Sequence, residues 1–154
     1  QNNVSNSLVL MADRLGFSLT LATPEPEKTQ ESFDADLQAM IVDNPSIQRV
    51  EDPRDAIASA DFIYTDTWID MQYFNDPTKH AEKTALVAQM QRFQINSDLV
   101  AGHELKIMHD MPIHNDYEIT EAAVRDPRAI IFDQAANRLH AQKGLLYWLL
   151  VANT

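Results

Sequence analysis

The run from Phe132 to Lys143 carries an acid, an amide, an arginine, a histidine and a lysine. It follows an apolar, strand-like run from Ala129 to Phe132 and leads into a helix predicted over Asn137 to Val151. In an open α/β sheet, ligands bind in the crevice at the carboxyl ends of the strands. The residue types and their position therefore indicate a ligand site at this junction.

Two more polar segments follow predicted strands. The segment from Asp66 to Gln72 leaves a strand predicted over Phe62 to Thr65, and His109 to Pro112 leaves one predicted over Lys106 to Met108. An aspartate after a strand is commonly an ordinary turn residue, so Asp66 alone indicates no function. Asn2 and Asn3 precede a predicted helix, where an asparagine commonly caps the first turn.

The order of these segments resembles the aspartate/ornithine carbamoyltransferase family. Phe132 to Lys143 is similar to its closing motif, Phe-Asp-Glu-Ala-Glu-Asn-Arg-Leu-His-Ala-Gln-Lys. Asn2-Asn3-Val4 with Ser7 resembles its Asn-Asn-Val-x-x-Ser segment, and Tyr64 to Gln72 resembles its Thr-Asp-x-Trp-x-Ser-Met-Gly loop. Met108 to Pro112 stands where the family has His-Cys-Leu-Pro. The resemblance covers nearly the whole chain.

The resemblance implies transfer of the carbamoyl group of carbamoyl phosphate to the δ-amine of L-ornithine, giving citrulline and phosphate, without metal or cofactor. The implied ornithine-binding residues are Asn2, Asn3, Asp66, Asp70 and Met71. The implied carbamoyl phosphate-binding residues are His109, Asp110, Met111 and Arg138, of which Asp110 and Arg138 are also the implied catalytic residues. It further implies a homotrimer or a multiple of trimers, a cytoplasmic location and a part in arginine biosynthesis.

The chain departs from the family pattern at two loops. Asp70-Met71-Gln72 replaces Ser-Met-Gly, and Asp110-Met111 replaces Cys-Leu. Added carboxylates favour a cationic acceptor such as ornithine over aspartate, whose second carboxylate they would repel. Putrescine or another diamine remains an alternative acceptor, and a non-catalytic amino-acid-binding module is an alternative of a different class. His109, Asp110 and His114 could also be interpreted as metal ligands, although their spacing matches no strong zinc signature.

The predicted elements alternate between strand and helix, which is typical of a three-layer α/β fold with a parallel sheet flanked by helices. The family has a strand directly before the paired asparagines, so we expect this sheet to lack its first strand. We expect residues 1–154 to form one ornithine-binding or amino-acid-binding domain, the second domain of a two-domain carbamoyltransferase. The motifs of the family's carbamoyl phosphate domain are absent from this sequence.

Composition excludes several classes of protein. The formal net charge of −11 disfavours nucleic acid as a partner. The absence of cysteine excludes disulfides and thiolate chemistry, and three glycines cannot assemble a dinucleotide-binding or Walker A loop. No apolar run approaches the roughly 20 residues that span a bilayer, so no membrane partner is expected.

Overall fold

The computed structural model describes residues 3–24, 35–69 and 74–152. Helices and strands alternate through the first half of the chain, and a long helix closes it. The strands are β1 (Leu19–Ala22), β2 (Ile47–Val50), β3 (Phe62–Thr65) and β4 (Lys106–His109). The helices are α1 (Asn3–Leu15), α2 (Ala35–Asp43), α3 (Pro53–Ile57), α4 (His80–Met90), α5 (Glu121–Val124) and α6 (Ile131–Tyr147), which continues as a π-helix over Trp148–Ala152.

The first helix forms as its apolar spacing predicts. Val9 and Ala12 are fully buried on one side of α1, against the pair formed by β1 and β2. Gly16 ends the helix with a left-handed φ of 71°, and its N–H donates to the Ala12 carbonyl at 2.9 Å. Only glycine adopts this conformation without a steric penalty, which explains its place at the helix end.

All strand pairing in the described part of the chain is parallel. β1 pairs with β2, and β3 pairs with β4, as two separate two-stranded sheets. The parallel α/β class predicted from the sequence is confirmed, but the strands do not form one continuous sheet. β3 hydrogen bonds only to β4 among the described strands, and Phe62 at its start remains 58% exposed.

The last predicted strand, Ala129 to Phe132, is wrong. Residues 128–130 contribute only a parallel bridge to β4, in which Ile107 N–H donates to the Arg128 carbonyl and Ile130 N–H donates to the Ile107 carbonyl. Helix α6 already begins at Ile131, whose side chain is fully buried. The short apolar run satisfies either structure, and burial of Ile131 against the core selects the helix.

Two cores support these elements. One gathers Val9, Ala12, Leu21, Leu37 and Ile47 around β1 and β2. The other lies around β4 and consists of Ile57, Ile95, Val100, Leu105, Ile107, Ile119, Ala123 and Ile131. Each buried Leu, Ile or Val side chain contributes about 1.5–3 kcal/mol to stability. The second core holds β4 and the start of α6, so it fixes the elements that carry the candidate site.

The far end of α6 lies outside both cores. The apolar side chains of this end are 49–71% exposed: Leu139, Leu145, Leu146, Tyr147, Trp148, Leu149, Leu150 and Val151. Such an exposed apolar surface is typical of a segment that contacts another protein region. No helix among the described residues combines the length and the apolar character needed to cross a membrane.

Candidate functional site at the ends of strands β3 and β4

Parallel pairing brings two acidic residues together. Thr65 lies opposite His109 in the register of β3 and β4. Asp66 and Asp110 come directly after these partners, at the same carboxyl edge. Paired strands lie about 4.8 Å apart, so both side chains leave neighbouring backbone positions. The two carboxyl groups therefore lie close enough for the charge of Asp66 to act on Asp110.

The two carboxyl groups differ in their surroundings. Asp66 Oδ1 accepts a hydrogen bond from the Thr67 N–H at 2.6 Å and another from the Thr67 hydroxyl at 3.3 Å. The Asp110 side chain is 28% exposed, and its Oδ1 lies 3.4 Å from His109 Nδ1. Burial and the neighbouring charge of Asp66 raise the pKa of Asp110 from 3.8 to about 6. Asp110 therefore holds a proton more readily than an ordinary aspartate does.

Gln134 joins helix α6 to the ends of both strands. Its Oε1 accepts a hydrogen bond from the His109 N–H at 3.2 Å, and its Nε2 donates to the Tyr64 hydroxyl at 3.3 Å. Burial and the charges of Asp110 and Asp66 raise the pKa of Tyr64 to about 12, so the phenol stays neutral. Gln134 thus fixes the first turn of α6 over the crevice.

His109 is fully buried and held from both sides of its ring. The Met111 N–H donates to its Nδ1 at 2.8 Å, so Nδ1 carries no proton and Nε2 does. Nε2–H donates to Glu118 Oε1 at 3.1 Å, and the same oxygen accepts the His114 N–H at 2.7 Å. His109 and Glu118 are both fully buried. The bridge fixes the loop from His109 to His114, in which Met111 has a left-handed φ of 60°.

An aromatic layer lies next to this loop. The rings of Phe74 and His114 stack with centroids 3.9 Å apart and an interplanar angle of 19°, and Tyr117 meets both rings edge-on. Neither ring nitrogen of His114 has a hydrogen-bond partner among the described residues. No cluster of potential ligand residues in the described ranges is arranged to hold a metal ion. His109 could ligate a metal only by giving up its bonds to Met111 or Glu118.

The remaining predicted residues lie at different distances from this cluster. Arg138 is exposed and stands one helical turn beyond Gln134, on the same face of α6. Asn3 is the exposed first residue of α1. Asn2, Asp70 and Met71 lie outside the described residues. The structure therefore brings together Asp66, His109, Asp110 and Met111 from the predicted set.

Sequence reasoning missed three residues of the cluster: Tyr64, Glu118 and Gln134. Tyr64 and Gln134 stood inside the motifs quoted above, but no role was expected of them. The sequence from Glu118 to Val124 predicts a short helix, whereas the helix begins at Glu121, behind the Thr120 cap, and leaves Glu118 outside it. The available signal was an acidic residue beside the apolar Ile119, nine positions after His109, but a surface glutamate gives the same pattern.

Comparisons with known proteins show the family of the chain. The family description "Aspartate/ornithine carbamoyltransferase, Asp/Orn binding domain" matches residues 1–149. The chain belongs to the aspartate/ornithine carbamoyltransferase family. It is 35% identical, over 97% of its length, to the ornithine carbamoyltransferase of Archaeoglobus fulgidus, of which it covers 46%. The chain thus spans about half the length of the curated relatives it matches.

Solved carbamoyltransferases share the fold. The ornithine carbamoyltransferase of Thermus thermophilus aligns with a TM-score of 0.75 and 34% identity, covering 97% of this chain and 45% of that one. A variant of N-acetyl-L-ornithine transcarbamylase, complexed with carbamyl phosphate and N-succinyl-L-norvaline, aligns with a TM-score of 0.73 and 27% identity. That alignment covers 95% of this chain and 44% of the neighbour. Carbamoyltransferases with different acceptors thus share this domain, so the acceptor must be argued from the site.

Proposed function

We propose that residues 1–154 form the acceptor-binding domain of an ornithine carbamoyltransferase. In the proposed reaction, the δ-nitrogen of L-ornithine attacks the carbonyl carbon of carbamoyl phosphate. A C–N bond forms, the C–O bond to phosphate breaks, and phosphate leaves with the electron pair and takes up the proton that the attacking nitrogen loses. The δ-ammonium group must first lose a proton, because only the neutral amine has a lone pair to attack with.

The carboxyl pair of Asp66 and Asp110 is the observation that carries this proposal. Two acids at the carboxyl edge of β3 and β4 provide negative charge where the acceptor is expected. Asp66 is assigned to the α-ammonium group, and Asp110 is assigned to orient the δ-amine and accept its proton. An acceptor with two amines a few bonds apart would lie between the neighbouring carboxyl groups and pair with each. An aspartate acceptor would add a third carboxylate, which the pair would repel.

The other predicted residues take the roles that the family resemblance implies. Arg138 would bind the carbamoyl group and its phosphate, since guanidinium keeps its charge and presents a planar fork of donors. His109 and Met111 would bind carbamoyl phosphate, as parts of the loop that Glu118 fixes. Asn2, Asn3, Asp70 and Met71 would complete the ornithine site, with Asn3 at the positive end of α1.

A second domain is part of the proposal, because this sequence carries no phosphate-binding motif of the family. The exposed apolar end of α6 supports it, since a neighbouring domain would cover Tyr147, Trp148 and the leucines around them. The length of the relatives supports it too, because they are about twice as long as this chain. Trimeric assembly, a cytoplasmic location and a part in arginine biosynthesis are proposed on the family resemblance alone.

A panel of acceptors tests the function. The full-length protein that carries this chain is incubated with carbamoyl phosphate and, separately, L-ornithine, N-acetyl-L-ornithine, putrescine or L-aspartate, and the carbamoylated product is quantified. We expect the highest kcat/KM with L-ornithine and no measurable product with L-aspartate. A preference for putrescine would show that the proposed acceptor is wrong. The absence of product with every acceptor would refute the proposed transferase activity. The 154-residue chain alone should form no citrulline, and citrulline from it would contradict the two-domain proposal.

A further inference from the structure

Asp66 and Asp110 lie side by side, because each directly follows one member of the Thr65–His109 pair of β3 and β4. Two ionised carboxylates in such positions repel each other, so a proton on one of them lowers the energy of the pair. Asp66 Oδ1 accepts hydrogen bonds from the Thr67 N–H and the Thr67 hydroxyl. Asp110 Oδ1 is buried and accepts no hydrogen bond from any described residue. The geometry therefore places the proton on Asp110.

The described groups around Asp110 do not supply that proton from another source. His109 Nδ1 lies 3.4 Å from Asp110 Oδ1, but it already accepts the Met111 N–H and has no hydrogen to donate. Behind His109, the fully buried Glu118 accepts the Nε2 hydrogen. Among the described residues, the titratable groups that act on Asp110 are Tyr64 and Asp66 from β3 and its loop and His109 from β4, with Glu118 behind His109. Gln134 of α6 contacts two of these residues, His109 and Tyr64.

Two departures from the family motif change the charge of this cluster together. Asp110 stands where the typical loop has cysteine, and Gln134 stands where the typical closing motif has glutamate. The exchange places one carboxyl group beside Asp66 and an uncharged amide on α6. The amide of Gln134 contacts both the His109 backbone and Tyr64, so it participates in the same cluster.

We propose that Asp66 and Asp110 share one proton in the unliganded site and release it to water when a cationic acceptor separates their carboxyl groups. This inference rests on the proposed function, because it uses the ammonium groups of that acceptor. The pair changes from one negative charge to two, the acceptor remains a cation, and the proton leaves for solvent. Asp110 is then ionised and can accept the proton of the δ-ammonium group. A ligand without the second amine leaves the proton in place.

The pH range of the effect follows from the surroundings of Asp110. Burial and the charge of Asp66 raise its pKa to about 6. The proton is therefore present at pH 5 and largely absent at pH 8. Release should be close to one proton per acceptor at the lower pH and close to zero at the higher.

Calorimetry measures this release directly. L-ornithine is titrated into the full-length protein at pH 5 and pH 8, each in two buffers of different ionisation enthalpy, and the difference in binding heat gives the protons released. L-norvaline is the matched ligand control, since it keeps the carbon chain and lacks the δ-amine. We expect about one proton released with L-ornithine at pH 5, and none with L-norvaline. Asp110→Asn and Asp110→Cys should bind L-ornithine without release, whereas the exposed control Asp98→Asn should behave as the unchanged protein.

A carboxyl ¹³C titration of the unliganded, unchanged protein tests the shared proton without any variant. Asp110 should titrate near pH 6, and this should move towards its ordinary range in Asp66→Asn. L-ornithine binding without proton release at pH 5 would overturn the inference and leave the proposed function standing. Absence of both binding and citrulline formation would overturn the proposed function, and the ¹³C titration would then decide the shared proton alone.

Discussion

Glu118→Ala should strongly destabilise the fold, because one buried carboxylate oxygen holds two donors. Glu118 Oε1 accepts the His109 ring N–H at 3.1 Å and the His114 backbone N–H at 2.7 Å, and Glu118 is fully buried. Each donor left without a partner costs about 1–3 kcal/mol. The second carboxylate oxygen of Glu118, Oε2, has no hydrogen-bond partner among the described residues. Its burial offsets part of the stabilisation that the two hydrogen bonds to Oε1 provide. We expect a loss of about 3–5 kcal/mol, a large fraction of the roughly 5–15 kcal/mol that stabilises a typical domain.

Urea unfolding, followed by circular dichroism, measures this loss as a lower midpoint at an unchanged slope. Glu118→Gln should cost less than about 1.5 kcal/mol, because its amide oxygen can still accept both donors. The matched control is Glu121→Ala, since the Glu121 side chain is exposed and forms a surface ion pair with Arg125 at 2.6 Å. This control should change stability by less than about 0.5–1 kcal/mol. If Glu118→Ala unfolded at the same urea concentration as the control, the buried bridge would contribute no stability and the reasoning would fail.

Three further changes test other contacts. The raised pKa of Asp110 stabilises the fold below about pH 4, and this contribution disappears as pH rises through about 6. The free energy of unfolding of Asp110→Asn, measured in urea, should therefore equal that of the unchanged protein at pH 4. At pH 7 it should be higher by about 1–2 kcal/mol, after allowance for the partial exposure of Asp110. Equal stability at pH 7 would contradict this. Thr120→Ala removes the side-chain cap on the Ala123 N–H. In thermal unfolding, we expect the free energy of unfolding to fall by about 1 kcal/mol. Arg128→Lys should cost about 1–2 kcal/mol in the same assay, because lysine cannot keep both the bidentate pair with Asp126 and the bonds to two loop carbonyls.

Local patterns in the sequence predicted most of the fold. The spacing of apolar residues located α1, and the glycine after it marked its end, because helix periodicity and left-handed caps depend on neighbouring residues alone. An aspartate directly before a proline likewise predicts a helix cap, and the Asp52 side chain accepts the Arg54 N–H at the start of α3, at 2.9 Å. The run from Ala129 to Phe132 was misassigned because a few apolar residues fit either a strand or a buried helix start.

The candidate site divides in the same way. The sequence by itself determined the family, the parallel α/β class and the presence of Asp66, His109 and Asp110 after two strands, because these follow from motif order and from where strands end. Only the tertiary structure decided that Asp66 and Asp110 lie side by side, since that depends on the register of β3 against β4. It also decided that Glu118 is the buried partner of His109, because burial depends on contacts between residues distant in the chain, which no local pattern encodes.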